Sequence, residues 1–279
     1  MWNELLSESV FMLPGGLMLS EDRRLSEAEL RPLTGYEEEW LARHRGTPSA
    51  PAVTRLLSAC LVRLDDVTRS QELVRRILVG DRDFLMLQLR RMTLGEKISA
   101  VVVCPACSAK MDADFKASDV QIDRHPQTAM TYTLEFNPGE GAGRTVRFRL
   151  PTGADQEDIL GLDADSAVDV LLIHCLVDDG GEPLSAEERI AVINAMEQLA
   201  PKIDLELDLT CPECSHAFVE PFDTTAFFLK EMSVNGDQLL REVHFLAFHY
   251  HWSEADILSL TRERRRAYLR LLSDALRQD

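Results

Sequence analysis

Two short stretches decide the fold: Cys104-Pro105-Ala106-Cys107 and Cys211-Pro212-Glu213-Cys214. In each, the Cys-x-x-Cys spacing places two sulfur atoms on one side of a tight loop, about 2.3 Å from a shared metal ion. Two such loops supply four thiolates and complete a tetrahedron. The sequence therefore predicts one structural zinc ion, and a shell of four thiolates leaves no open coordination position for catalysis. The predicted ligands are Cys104, Cys107, Cys211 and Cys214.

Other uses of four cysteines stay open at this point. An iron–sulfur cluster also takes four cysteine ligands, and the spacing alone does not exclude it. A thioredoxin-like redox pair needs one Cys-x-x-Cys at a helix N-terminus, whereas both pairs here follow β-prone segments. A thiol redox enzyme therefore fits the pattern less well than a structural metal site does.

The sequence on both sides of each cysteine pair alternates between apolar and polar residues, which is typical of strands with one exposed face. A shift of 107 positions superposes the first pair on the second and Phe115 on Phe222, so the same element occurs twice. The positions between Cys107 and Cys211 (211 − 107 = 104) predict a zinc ribbon split by a large insertion. The predicted strands are Lys97–Val103, Met111–Phe115, Asp204–Leu209 and Ala217–Phe222.

The rest of the chain predicts an α+β fold with this split zinc ribbon at its centre. The insertion contains a predicted hairpin of Thr131–Phe136 and Thr145–Leu150, joined by the Pro/Gly-rich stretch 137–143, and then helices. Four segments follow: an apolar N-terminal arm (1–20), a helical region (21–95), the zinc-ribbon core with its α/β insertion (96–223), and a C-terminal helical region (224–279).

Helix starts are marked by capping boxes at Thr34-x-x-Glu37, Ser185-x-x-Glu188 and Ser253-x-x-Asp256. An apolar stripe that includes Cys60 predicts one helix over Val53–Leu64. Another is predicted from Gln71 to Val79, with Gly80 as its break.

Charge restricts the classes of partner. The chain of 279 residues has 47 acidic and 30 basic residues, a formal net charge of −17. Such a chain is poorly suited to binding phosphate backbones or anionic membranes.

No apolar run approaches the roughly 20 residues that span a bilayer, and the N-terminus lacks the basic region of a secretory signal. We expect synthesis in the cytoplasm and no direct membrane insertion.

Motifs of catalysis are missing. No phosphate-binding glycine loop, Gly-x-Ser-x-Gly or His-Glu-x-x-His occurs, so we expect no enzyme. The alternative function is a zinc-ribbon nucleic-acid-binding or transcription-associated adaptor. It needs a basic face near the cysteines, where acidic residues such as Asp112, Asp208 and Glu213 stand instead. The dense basic run from Arg262 to Arg266 favours contact with an acidic protein partner or with this protein's own acidic surface.

Two apolar or aromatic stretches are candidate partner interfaces, because such side chains anchor many protein–protein contacts. One is the N-terminal arm with Leu13 and Leu17, and the other is the corner formed by His244, His249, Tyr250, His251 and Trp252. Packing inside the protein is an equally good interpretation of both stretches.

An ordered set of motifs resembles the T-even phage baseplate protein family, which includes proteins described as baseplate hub assembly chaperones. The resemblance spans about residues 10 to 273, and the cysteine pairs and the His-Tyr-His-Trp-Ser corner are its most distinctive marks. The motifs are Leu13-Pro14-Gly15-Gly16, Leu30-Arg31-Pro32-Leu33-Thr34-Gly35, Gly80-Asp81-Arg82-Asp83, both Cys-Pro-x-Cys pairs, Leu150-Pro151-Thr152-Gly153-Ala154-Asp155-Gln156-Glu157, and Glu242-Val243-His244 through His249-Tyr250-His251-Trp252-Ser253.

The resemblance implies a baseplate component or hub assembly factor of a contractile phage tail or a phage-tail-like injection system. It implies hub or wedge proteins as partners, and it supplies no catalytic residues. It leaves open whether the chain leaves after assembly in the cytoplasm or stays in the finished particle.

Overall fold

The computed structural model describes residues 9–124, 128–136, 144–178, 183–233 and 236–277. The predicted connection 137–143 and residues 1–8 of the predicted arm lie outside the described residues. The fold is α+β, as the sequence predicts.

Strands occur along most of the chain. They are β1 Val10–Ser20, β2 Arg23–Leu30, β3 Leu61–Leu64, β4 Val67–Thr68, β5 Lys97–Val103, β6 Lys110–Lys116, β7 Gln121–Asp123, β8 Tyr132–Phe136, β9 Arg144–Phe148, β10 Leu176–Asp178, β11 Lys202–Asp204, β12 Glu206–Thr210 and β13 Ala217–Pro221.

Helices separate the groups of strands. They are α1 Gly35–Arg43, α2 Ser49–Cys60, α3 Gln71–Arg76, α4 Val79–Leu94, α5 Gly153–Asp158, α6 Ala164–Cys175, α7 Ala186–Leu199, α8 Thr224–Ser233, α9 Gly236–Tyr250, α10 Glu254–Leu258 and α11 Arg262–Leu276. A short 3₁₀ turn covers Ala117–Asp119.

The chain divides into two compact units, each built from three separate stretches of sequence. The first unit comprises Met1–Glu29, Val53–Phe84 and Ile122–Ile203. The second comprises Leu30–Ala52, Leu85–Gln121 and Asp204–Asp279, and it contains the four cysteines of the predicted metal site.

The first unit holds a four-stranded sheet in the order β1-β2-β3-β4. Strand β1 has a register shift between Met12 and Leu17, because Leu13-Pro14-Gly15-Gly16 forms an irregularity inside the strand. Gly16 has a positive φ of 82°, a conformation that glycine adopts without steric cost.

A second group of elements in this unit is the three-stranded sheet β10-β9-β8 with helices α6 and α7. The predicted hairpin of β8 and β9 is present, and the two strands pair antiparallel. Val146 and Phe148 of β9 are buried in a cluster with Leu172 of α6 and Val192 of α7. Every second side chain of the strand and one face of each helix therefore point into one shared hydrophobic core.

The second unit combines two β-hairpins with helices α1 and α8 to α11. Leu239, Val243 and Leu246 of α9 pack with Ile257 and Leu258 of α10. The capping boxes that mark helix starts are confirmed. The Glu37 carboxylate accepts a 2.8 Å hydrogen bond from the Thr34 N–H, and corresponding contacts begin α7 and α10.

Two local predictions are wrong. The predicted helix Val53–Leu64 ends at Cys60, where strand β3 begins. Gly80 does not end a helix, because α4 begins at Val79 and continues through it. A Cβ on Gly80 would lie 1.8 Å from the carbonyl oxygen of Pro201, so this glycine permits a close backbone approach.

Strands β1 to β4 also lie in the part of the chain for which the sequence predicts an arm and helices. The apolar residues of β1 are not a free arm in this structure, since the strand pairs with β2 from Val10 onward.

Candidate metal centre

Two β-hairpins carry the four cysteines. Strand β5 pairs antiparallel with β6, and β12 pairs antiparallel with β13. Along β5 the side chains alternate between exposed and buried, and Ile98, Ala100 and Val102 form the buried face. The alternation fixes the register, because a slip of one residue would expose all three apolar side chains.

The loop of each hairpin folds back in the same way. In the first, the Cys104 N–H donates to the Ala109 carbonyl and the Ser108 N–H donates to the Cys104 carbonyl, both at 2.9 Å. Ser108 has a positive φ of 60°. The second loop repeats both hydrogen bonds and this φ at the positions 107 residues later.

These loops bring the four sulfur atoms together. The Sγ atoms of Cys104 and Cys214 are 3.7 Å apart, and those of Cys107 and Cys211 are 3.6 Å apart. All four lie within 4.8 Å of one another. A tetrahedron with metal–sulfur bonds of 2.3 Å has sulfur–sulfur edges of about 3.8 Å. A disulfide would need about 2.05 Å, and the four cysteines are free thiols.

The thiols differ in their surroundings. Cys104 and Cys211 are buried, whereas Cys107 and Cys214 are exposed. Burial alone would raise the pKa of the Cys104 thiol, but hydrogen bonds from the N–H groups of Cys107 and Ala106 lower this pKa to about 7. A backbone N–H also favours the Cys107 thiolate, but contacts with the sulfur atoms of Cys214 and Cys211 outweigh it and raise the Cys107 pKa to about 12. Adjacent thiolates repel, and a divalent cation between them removes this penalty.

An aromatic contact joins the far ends of the hairpins. Phe115 and Phe222, which the 107-residue repeat makes equivalent, meet edge to face with ring centroids 5.0 Å apart. Phe222 also contacts Phe227 of α8, with the same centroid distance. The sulfur cluster and this aromatic pair therefore hold the two hairpins together at both ends.

The donor set decides what the cluster can hold. Four thiolates in a tetrahedral arrangement suit a soft ion, and they leave no coordination position for a substrate. The arrangement can therefore bind a metal ion in a structural role.

Most of the sequence, from the end of strand β1 into helix α8, matches a known protein family. Residues 18–229 match the family described as T4 bacteriophage base plate protein, and this match covers about three quarters of the chain. The chain belongs to that family. Both cysteine pairs lie inside the matched range of this base plate protein. Searches among curated proteins and among solved structures gave no match.

No helix among the described residues of the base plate protein combines the length and the apolar character that crossing a membrane requires.

The predicted interface residues occupy different environments. Leu13 and Leu17 are buried in β1, with 3% and 5% of their surface exposed. Tyr250 and Trp252 stack on each other at 5.0 Å, and both meet Tyr268 of α11 edge to face. These four side chains pack within the base plate protein.

The three predicted interface histidines are more accessible. His244 and His251 are exposed, and His249 is half-buried against Phe245 and Phe248. A role for these residues in binding a partner stays a prediction.

Sequence analysis missed two buried polar centres of the base plate protein. The first is a carboxylate: Asp81 is fully buried and accepts hydrogen bonds from the N–H groups of Gly15 and Gly16. Next to it, Arg82 is buried and donates to the Thr54 hydroxyl at 2.9 Å. Adjacent charged residues on a helix otherwise rich in buried apolar side chains are a signal that could have indicated this centre.

The second missed centre is Arg265, which donates to the Glu38 carboxylate at 2.7 Å and to the Glu242 carboxylate at 3.1 Å. Its side chain is completely buried. Burial raises the pKa of Glu38, and the charge of Arg265 acts in the opposite direction. The sequence predicts that the run from Arg262 to Arg266 contacts an acidic partner or the protein's own acidic surface, but it does not single out Glu38 and Glu242 as the buried partners of Arg265. The three-residue spacing of Arg262 and Arg265 places both on one helix face, and this signal was available.

Proposed function

We propose that this protein is a non-catalytic component or assembly factor of the base plate hub in a contractile phage tail or phage-tail-like injection system. We propose further that one structural zinc ion joins its two hairpins as a split zinc ribbon. Its partners are other hub or wedge proteins, which it meets in the bacterial cytoplasm during assembly.

The observation that carries the zinc proposal is the arrangement of the sulfur atoms. The Sγ–Sγ distances of 3.6 and 3.7 Å are close to the edges of a tetrahedron around one ion, and all four sulfur atoms lie within 4.8 Å of one another. An iron–sulfur cluster must accommodate several iron and sulfide atoms between its ligands, so it favours a wider spacing of the thiolates.

Zinc in this position has a clear structural effect. The ion closes the segment between Cys107 and Cys211, which are 104 positions apart. Closing a long loop restricts the unfolded chain, and metal binding to a site that exists only in the folded state adds to folding stability. The ion thereby holds the base of the insertion, which supplies much of the first unit.

Charge on the hairpins supports a protein partner over the nucleic-acid alternative. Asp112 and Asp114 of β6 and Glu206 and Asp208 of β12 are exposed. These carboxylates repel phosphate groups next to the cysteine loops, where a nucleic-acid-binding ribbon needs cations.

The first experiment determines the metal. Purified protein should contain one zinc and no stoichiometric iron or acid-labile sulfide per chain by elemental and sulfide analysis. Cys104→Ser and Cys211→Ser should lose the ion, whereas the matched control Cys175→Ala, which changes a buried cysteine outside the cluster, should keep it. Iron with sulfide in the wild type, or zinc retained by both serine variants, would contradict the zinc assignment.

The second experiment tests the role in assembly. Quantitative mass spectrometry compares purified particles with the lysate from which they assemble. A fixed ratio to other base plate subunits identifies a structural component. Abundance in the lysate, absence from particles and failed assembly without the gene identify an assembly factor. Normal particles that form in the absence of the protein would contradict both forms of the proposal.

A further inference from the structure

Helices α9 and α11 of the second unit leave an open groove between them. Leu240 and Phe245 line it from α9, and Leu269 and Ser273 line it from α11. This part of the groove encloses about 540 Å³. It continues along α11 past Arg266, Arg270 and Arg277, where a further 420 Å³ is open.

The wall of the groove is apolar and accessible to a partner. Leu240 is 55% exposed and Phe245 is 36% exposed. Phe248, one turn beyond His244 on α9, is 67% exposed as well, although it is not among the side chains that line the groove. Large apolar side chains gathered on one helix face are a common feature of protein-binding surfaces.

The rim of the groove is basic although the chain as a whole is acidic. Arg241, Arg266, Arg270 and Arg277 are all exposed. Among the described residues, none of these four arginines forms an ion pair or a side-chain hydrogen bond. Among the described residues that line the same groove, Asp274 is the exposed acidic one, since Glu242 is buried and bound to Arg265.

We propose that this groove docks an acidic amphipathic helix of another base plate protein. The charge of the rim selects the partner: glutamates or aspartates pair with the four arginines, while apolar side chains contact Leu240 and Phe245. A groove between two helices accepts a third helix along its length, and the distance from Arg266 to Arg277 corresponds to about three helical turns. This proposal rests on the base plate function proposed above and names the kind of partner.

A nucleic acid is a poorer occupant, because phosphates would leave the apolar wall without contacts. A second copy of this chain, which is acidic overall, competes with the proposed helix on charge alone. The experiment therefore distinguishes these occupants from the proposed helix.

Site-specific cross-linking in the full-length chain identifies the occupant. A photoreactive amino acid is placed at Leu240 or Ser273 during particle assembly, and at Arg264 as the control. Arg264 is exposed on α11 and does not line the groove. The expected product at both groove positions is one peptide of another base plate protein, with acidic residues around apolar residues at helical spacing. The control position should not give this peptide.

Other products would overturn the groove proposal. A cross-link to a peptide of this same chain or to a nucleic acid would do so, and so would the same product from Arg264. The absence of any product at the groove positions, in a chain that co-purifies with base plate proteins, would also overturn it. A chain that never associates with base plate proteins overturns the proposed function itself, so the two failures can be separated.

Charge reversal then measures the role of the arginines. Arg266→Glu with Arg270→Glu should weaken binding of the identified peptide by about tenfold or more, because two attractive contacts become repulsive. Arg264→Glu changes one exposed arginine of the same helix that does not line the groove, and it should alter the affinity less than about twofold, as expected for a solvent-screened surface charge. Equal loss in both proteins would overturn the proposal, and an unchanged thermal transition verifies that each variant is folded.

Discussion

The carboxylate of Asp81 accepts a 2.7 Å hydrogen bond from the backbone N–H of Gly15, which lies 66 positions earlier in the chain. The neighbouring N–H of Gly16 donates to the same carboxylate at 2.8 Å. These N–H groups belong to the irregular part of β1, where regular strand pairing is interrupted. A buried side chain from α4 thus replaces the hydrogen bonds that the strand lacks.

Asp81 should give the stability of the protein a distinct pH dependence. Burial raises the pKa of Asp81 from 3.8 to about 6, although the N–H groups of Gly15 and Gly16 act against this change. Because the folded pKa lies above the unfolded pKa, the folded state binds the proton more tightly. Protonated Asp81 therefore stabilises the folded state fully below about pH 4, and this stabilisation is lost as the pH rises through 6. The difference between the two pKa values corresponds to about 3 kcal/mol in the free energy of unfolding.

Chemical denaturation at pH 4 to 7 measures this effect as a difference between proteins. Asp81→Asn should lack the Asp81 component, so the difference in the free energy of unfolding between this variant and the wild type should change by about 2.4 kcal/mol over this range. Asp22→Asn, at an exposed position, should follow the wild type throughout. Parallel curves for wild type and Asp81→Asn would show that Asp81 has an ordinary pKa.

The metal prediction concerns linkage between zinc and folding. If only the folded chain binds the ion, each tenfold rise in free zinc above the dissociation constant raises the free energy of unfolding by about 1.4 kcal/mol. Denaturation in zinc buffers should give this slope for the wild type and for Cys175→Ala. Cys104→Ser should give a slope near zero, and a zero slope in the wild type would contradict a zinc site coupled to folding.

Local sequence patterns predicted the cluster of four cysteines and the hairpins that carry it well. The two Cys-Pro-x-Cys pairs, the alternating strands and the capping boxes each depend on residues close together in the chain. Their spacing carries the structural information directly. The contact between Phe115 and Phe222 agrees with this, because the 107-residue repeat makes them equivalent.

Features that depend on distant partners were not predicted. Leu13-Pro14-Gly15-Gly16 has the composition of a turn, yet it lies inside β1 because Asp81 supplies its hydrogen-bond acceptors. The apolar run Val53–Leu64 is buried in both of its parts, so burial alone could not separate helix α2 from strand β3.

Arg265 should contribute strongly to stability. Its removal leaves the buried carboxylates of Glu38 and Glu242 without their cation, and loss of one partner from a buried ionic group typically costs about 3–5 kcal/mol. Arg265→Ala should show this loss in denaturant titrations. The adjacent Arg264 is exposed, so Arg264→Ala should change the stability by less than about 0.5 kcal/mol. Equal effects of the two substitutions would show that the buried network contributes nothing.

The last prediction separates core packing from partner binding in β1. Leu13 and Leu17 are buried, whereas Met12 in the same strand is 51% exposed. Leu13→Ala and Leu17→Ala should each lower the free energy of unfolding by about 2–4 kcal/mol, since they remove buried methyl groups and leave cavities. Met12→Ala should change it by less than about 0.5 kcal/mol, as a surface substitution does. Leucine variants with wild-type stability that fail to enter particles would instead identify β1 as a partner interface, because only a contact absent from the free chain would then be lost.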